Sequence, residues 1–258
     1  MLLLHKPNQR VAIEKGELIG YKINDHEFIH QKESPGWRNS DTEMFPIIGS
    51  TKQNEFKVKT PKGNATLDQH GLLRELQYHL TSQTETMASF KKSYVANALV
   101  KNAKFPEKST EEWVSWPYNF EFTKTFELKE NELEIIFSVT GDKGMPFMLG
   151  YHPAFKLYTE SPQIIAGEKT ISLKEVKEIG SSALHIGNSN KLVLRDKEEI
   201  VIKTAGFDNF MLWTEVSNMI CIEPITCFPP SVLEDTNFLK LQGKAQEFKV
   251  NIVVSNGI

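Results

Sequence analysis

The sequence predicts an all-β protein, a large antiparallel β-sandwich with little helix. Three observations carry that expectation. Polar and apolar residues alternate with a period of two in one segment after another. Turn-forming residues separate those segments. No apolar stripe at helical spacing reaches a convincing length. Residues 56–59 and 65–67 flank the turn signal Pro61-Lys62-Gly63-Asn64. Residues 119–128 alternate, break at Glu130-Asn131 and resume at 133–139 before Gly141-Asp142, which is the pattern of a hairpin. Residues 192–194 and 200–202 flank a charged turn, 210–214 and 219–222 flank another, and 248–254 close the series. Met44-Phe45-Pro46-Ile47-Ile48-Gly49 reads as a buried strand. The best helical candidates are short, at 181–184 and 170–179. The Lys and Glu mixed into the latter read as a solvated face. Many short strands with turns argue for a sandwich or barrel. No Gly/Ser/Pro linker and no fixed-period repeat divides the chain, so residues 1–258 read as one domain.

Composition narrows the function. A net charge of -3 argues against nucleic acid as a partner, because a phosphate backbone demands a cationic excess. It leaves room for a local basic pocket that takes a small anion. Cys221 and Cys227 are the only cysteines, too few for a disulfide framework or a zinc ribbon, and read as reduced thiols. The run Met1-Leu2-Leu3-Leu4 is shorter than a signal sequence needs, and no stretch approaches the roughly 18 apolar residues of a membrane span. The expectation is a cytoplasmic protein with no membrane partner. The sequence contains no G-x-S-x-G elbow, P-loop or G-x-G-x-x-G fingerprint. His5, His26, His30, His79 and His185 have no partners at ligand spacing, so no metal is expected as a requirement.

Three islands carry chemistry: His70 in Asp68-Gln69-His70-Gly71-Leu72-Leu73-Arg74, His152 in Leu149-Gly150-Tyr151-His152-Pro153-Ala154-Phe155, and Glu223 in Cys221-Ile222-Glu223-Pro224. Each sets a titratable group beside a backbone-fixing Gly or Pro. Two imidazoles and a carboxylate suffice to move protons on and off sugar oxygens. Alone, each has a plainer reading. His152 fits a structural histidine bonding a backbone carbonyl, and Pro153 biases it towards extended backbone. Glu223 fits an edge-strand surface charge, with Pro224 ending the ladder. His70 fits a loop histidine beside a surface pair of Arg74 and Glu75. Asp208 fits a turn aspartate, and Arg38 is a lone arginine in a polar loop.

In order, Phe45-Pro46-Ile47-Ile48-Gly49, His70-Gly71-Leu72-Leu73-Arg74, His152-Pro153-Ala154-Phe155 and Glu223-Pro224 resemble the aldose 1-epimerase (galactose mutarotase-like) family. Trp37-Arg38 falls where related chains carry an arginine after tryptophan, and Leu241-Gln242-Gly243-Lys244 resembles the family's closing turn. The resemblance spans about residues 36 to 250. Four positions depart from its pattern. Leu72 replaces an aromatic, Ile225 and Cys227 replace Trp and Gly after E-P, and Ser50 stands where an arginine is common. They would shape the sugar pocket.

The resemblance implies interconversion of the α and β anomers of a hexose or hexose derivative, without a cofactor. Glu223 is then the base at the C1 hydroxyl and a protonated His152 the acid at the ring oxygen, while His70 stabilises charge there. Arg74 and Arg38 would bind substrate and suit a hexose 6-phosphate, with Asp208 a further candidate contact. Two other classes stay open. One is a non-catalytic carbohydrate-binding sandwich. The other is a glycosidase or lyase, which needs a second carboxylate that only Asp208 could supply. Edge strands allow a monomer or a homodimer.

Overall fold

The computed structural model describes residues 1–230 and 235–255. Strands dominate, as the alternation predicts. A nine-stranded antiparallel sheet runs in the order Lys169–Ser172, Gln163–Ala166, Lys191–Arg195, Glu199–Ala205, Gln246–Val254, Glu132–Gly141, Phe120–Lys129, Met87–Tyr94, His79–Gln83. The expected hairpin lies at its centre, with Phe120 opposite Gly141 and Lys129 opposite Glu132. A five-stranded sheet runs Leu184–Gly187, Asn209–Trp213, Met219–Ile225, Gly150–Lys156, Asp41–Met44.

The two sheets face each other across an aromatic core. Alternation on Phe120–Lys129 sends Phe122 and Phe126 inward, and Phe137 joins them from the neighbouring strand. Phe122 meets Phe45 at 5.5 Å between ring centroids, and Phe137 meets Tyr151 at 5.0 Å. Burying each such ring contributes roughly 1.5–3 kcal/mol.

The same alternation sends two lysines inward. Lys124 and Lys92 occupy core-facing positions of Phe120–Lys129 and Met87–Tyr94. The Lys124 ammonium lies 2.7 Å from both the Asp41 and the Glu43 carboxylates, and it is wholly buried. Tyr151 donates its hydroxyl to Asp41 at 2.7 Å, and Lys92 donates to the Leu73 carbonyl at 2.8 Å. Burial pushes Asp41 up to about 6 despite Lys124. Burial also opposes the Glu43 charge, but Lys124 and Lys92 outweigh it and hold that carboxyl low. This network bolts the strand Asp41–Met44 to the opposite sheet.

Two expectations about the elements need correction. The apolar run at 44–49 is not a strand. The strand ends at Met44, and Phe45 instead makes a single parallel bridge to Gly71. Residues 181–184 form no helix; Leu184 begins a strand. The α-helix in this region is Leu173–Glu178, capped when Ser172 and Glu175 satisfy each other's backbone N–H groups. The sequence reading also missed a four-stranded sheet, Leu2–Lys6, Gln9–Glu14, Glu17–Ile23 and His26–Glu27. No helix among the described residues is long and apolar enough to cross a membrane.

Candidate active site

The site is set by the register of the five-stranded sheet. Gly150 stands opposite Ile225 and Ala154 opposite Cys221, so His152 stands opposite Glu223. The pairing of the two strands is interrupted between those positions. Pro153 and Pro224 lie within the gap, and neither has an N–H to donate. On its other side, Glu223 is opposite Met211, and Phe210 pairs with Pro224. Pro224 therefore does not end the ladder: the strand continues to Ile225 and is central in its sheet. Tyr151 points into the core, so His152 points away from it, onto the outer face with Cys221, Glu223, Met211 and Trp213.

His152 and Glu223 touch. Nε2 lies 3.3 Å from a Glu223 carboxyl oxygen, and both residues are buried. Trp37 stacks on the imidazole at 4.3 Å and 30°, and Trp213 meets its edge at 6.2 Å. This dry setting governs protonation. Burial pushes the Glu223 carboxyl up to about 8, against the pull of the Arg74 cation. Burial first, then Arg74, holds His152 well below the ordinary imidazole value of 6.5. Both shifts favour the neutral forms, a protonated carboxyl beside a neutral imidazole. Burial beside the indole rings thus disfavours the protonated imidazole that the family resemblance implies for the acid.

His70 reaches the same hollow from a stitched loop. Its N–H donates to the Gly49 carbonyl at 3.0 Å, and its carbonyl accepts from Phe45 N–H at 3.1 Å. Leu72 and Leu73 both donate to the Phe45 carbonyl. His70 and Gly71 each adopt left-handed backbone, and a Cβ on Gly71 would lie 2.1 Å from the Phe45 oxygen. The Gly49 N–H donates to His70 Nδ1 at 3.2 Å, and the Gln69 side-chain amide nitrogen lies 3.1 Å from Nε2. Burial, then Arg74, lowers the pKa of this imidazole as well. Arg74 Nε donates to the Glu43 carbonyl at 3.0 Å, while its Nη2 is buried without a protein partner.

A cavity of about 780 Å³ joins His70, Arg74, His152 and Glu223, a volume suited to a small ligand. Trp37, Trp213, Met211, Phe228 and Lys108 also line it. The remaining expected residues lie elsewhere. Arg38 is exposed and outside the lining; its neighbour Trp37 turns inward instead. Asp208 is exposed in the turn between Glu199–Ala205 and Asn209–Trp213, where its carbonyl accepts from Ser189. It is far from serving as a second carboxylate beside Glu223, since it does not line the cavity. Leu72 and Ile225 are core residues, and Ser50 is exposed. Of the four departures, none lines the cavity. Trp37, Trp213 and Met211 were missed. Met211 and Trp213 share Glu223's side of the sheet by the period-two rule once 210–214 and 219–222 are paired.

The aldose 1-epimerase family profile matches residues 44–229. No curated protein matches in sequence. Among solved structures, a galactose mutarotase-like protein from Lactobacillus casei superposes with a TM-score of 0.80 at 16% identity, covering 99% of this chain and 100% of its own. A galactose mutarotase related enzyme from Lactobacillus acidophilus gives 0.74 at 21% identity, covering 99% and 97%. An aldose epimerase homologue from C. elegans gives 0.69 at 12%, covering 98% of each chain.

Proposed function

From the premise that this chain belongs to the aldose 1-epimerase family, we propose that it interconverts the α and β anomers of a hexose or hexose derivative. The observation that carries this reading is the cross-strand contact of His152 and Glu223 in a cavity with room for a monosaccharide. Ring opening takes a proton from the C1 hydroxyl and gives one to the ring oxygen. Both oxygens sit on C1, so two adjacent groups can serve both. Moving the shared proton from Glu223 to His152 leaves the pair's total charge unchanged. It produces the carboxylate base and the imidazolium acid, and each transfer is worth about 10²–10⁴ in rate. The His70 imidazole stabilises charge at the ring oxygen as it develops there. Rotation about C1–C2 and reclosure with the roles reversed complete the exchange. Trp37 and Trp213 provide the apolar wall against which a pyranose face packs.

A second reading, a hexose 6-phosphate substrate, is supported by the unpartnered Arg74 Nη2 and by Lys108 on the same cavity wall. The exposed Arg38 adds no support. The test is anomer exchange by NMR on glucose, galactose and their 6-phosphates, run beside a buffer blank. Acceleration of any of them supports the epimerase. Faster exchange of the phosphorylated forms selects the second reading. Rates equal to the blank, with sugar binding retained, would leave a carbohydrate-binding sandwich.

A further inference from the structure

One buried group takes no part in this proton transfer. Cys221 lies two residues before Glu223 on the same face of the strand Met219–Ile225, and it is wholly buried. A ring nitrogen of His152, the Cys221 sulfur and a Glu223 carboxyl oxygen all lie within 4.8 Å of one another. The geometry points to a zinc-class cation site built from His152, Cys221 and Glu223, for an ion that competes with the sugar and is not required by the reaction.

The donor set is one that zinc accepts: imidazole nitrogen, thiolate sulfur and carboxylate oxygen, at about 2.0–2.3 Å. Tetrahedral bonds of that length hold ligand atoms roughly 3.3–3.8 Å apart. His152 and Glu223 already stand 3.3 Å apart, so it is the Cys221 sulfur that closes, by on the order of 1 Å, within the reach of side-chain rotation. Two of the ligands are fixed by strand alternation and the third by the cross-strand register, so the backbone already aims all three at one point. The fourth tetrahedral position opens onto the cavity that His152 and Glu223 line, where water can complete it. Binding exchanges the thiol proton and the pair's shared proton for the ion. Both protons leave to solvent, and nothing is oxidised or reduced. The other cysteine does not share the site: Cys227 lies 3.4 Å from the Phe228 carbonyl and 3.8 Å from the Asn237 amide.

The test uses the whole reduced protein and cobalt(II) as the spectroscopic probe, with zinc affinity measured by competition against a chelator. Wild type is expected to bind one equivalent with a thiolate-to-cobalt charge-transfer band. Cys221→Ser is expected to lose that band and to bind zinc about tenfold or more weakly, while Cys227→Ser keeps both properties. Cys221→Ala replaces the serine variant if the latter fails to fold by circular dichroism. Absence of the band in wild type, its survival in the Cys221 variant, or equal zinc affinities would overturn the proposal. Neither measurement needs catalysis, so the outcome stands apart from that of the anomer-exchange experiment.

Discussion

Replacing Lys124 by Met tests how the buried ion network holds the site. The Lys124 side chain is wholly buried, and its ammonium contacts two carboxylates at 2.7 Å. Each attraction is roughly 6 kcal/mol at an effective dielectric near 20. Desolvation of the ions offsets much of that, so the intact network contributes little net stability. Removing only the cation is different. Asp41 and Glu43 remain buried and close together, with Lys92 still 3.9 Å from Glu43, and Lys124→Met should cost about 3–5 kcal/mol. For a chain of this size that lowers Tm by on the order of 10 °C. Asp41 is already pushed up to about 6, and without Lys124 both carboxyls move higher. A raised carboxyl favours the folded state at low pH and loses that advantage as pH rises through its folded value. The deficit should therefore shrink between pH 8 and pH 5, read by urea unfolding at each pH. Adding Asp41→Asn and Glu43→Gln should restore most of the loss. A single-variant cost below about 1 kcal/mol at pH 8, or a cost independent of pH, would refute the argument. Because Thr42 pairs with His152 and the Glu43 carbonyl holds Arg74, the variant should also lose activity.

Four further outcomes follow. Activity as kcat/KM should be bell-shaped in pH, with the alkaline limb near 8 as Glu223 loses the pair's proton and the acid limb well below 6.5 as His152 gains a second. The same raised carboxyl makes its stability contribution present below about 4.5 and lost as pH climbs through about 8. Gly71→Ala should cost more than about 2 kcal/mol and displace His70, because its Cβ would enter the Phe45 carbonyl. Gly63→Ala, equally left-handed but facing open space, should cost only about 1 kcal/mol by the same unfolding assay. Trp37→Ala should raise KM about tenfold and raise the His152 pKa by admitting water. NMR titration of the imidazole reads the second effect, and an unmoved pKa would contradict the role given to the indole.

The sequence exposed the strands and three of the titratable side chains because both signals are local. Alternation over 119–139 dictates the central hairpin, and His70, His152 and Glu223 each sit beside a Gly or Pro that fixes the backbone. The burial of Glu223 was not legible, since it depends on strand order: Met219–Ile225 is flanked on both sides. Trp37 and Arg38 are adjacent in a loop, and nothing local says which turns inward. Lys92 and Lys124 did leave a signal, as lysines at core-facing positions of alternating strands, but their partners come from Asp41–Met44, distant in the chain. The pair's protonation was hidden for a related reason. It depends on indole rings brought together only by the fold.

The most direct test of the account is two-dimensional exchange NMR on the α and β anomers of the best substrate, comparing wild type with Glu223→Gln. The glutamine keeps the shape of the carboxyl and can still hydrogen-bond, but it cannot carry the shared proton. The account predicts accelerated exchange with wild type and a fall of about 10²–10⁴ with the variant, with sugar affinity changed little. Exchange by Glu223→Gln at the wild-type rate would contradict it.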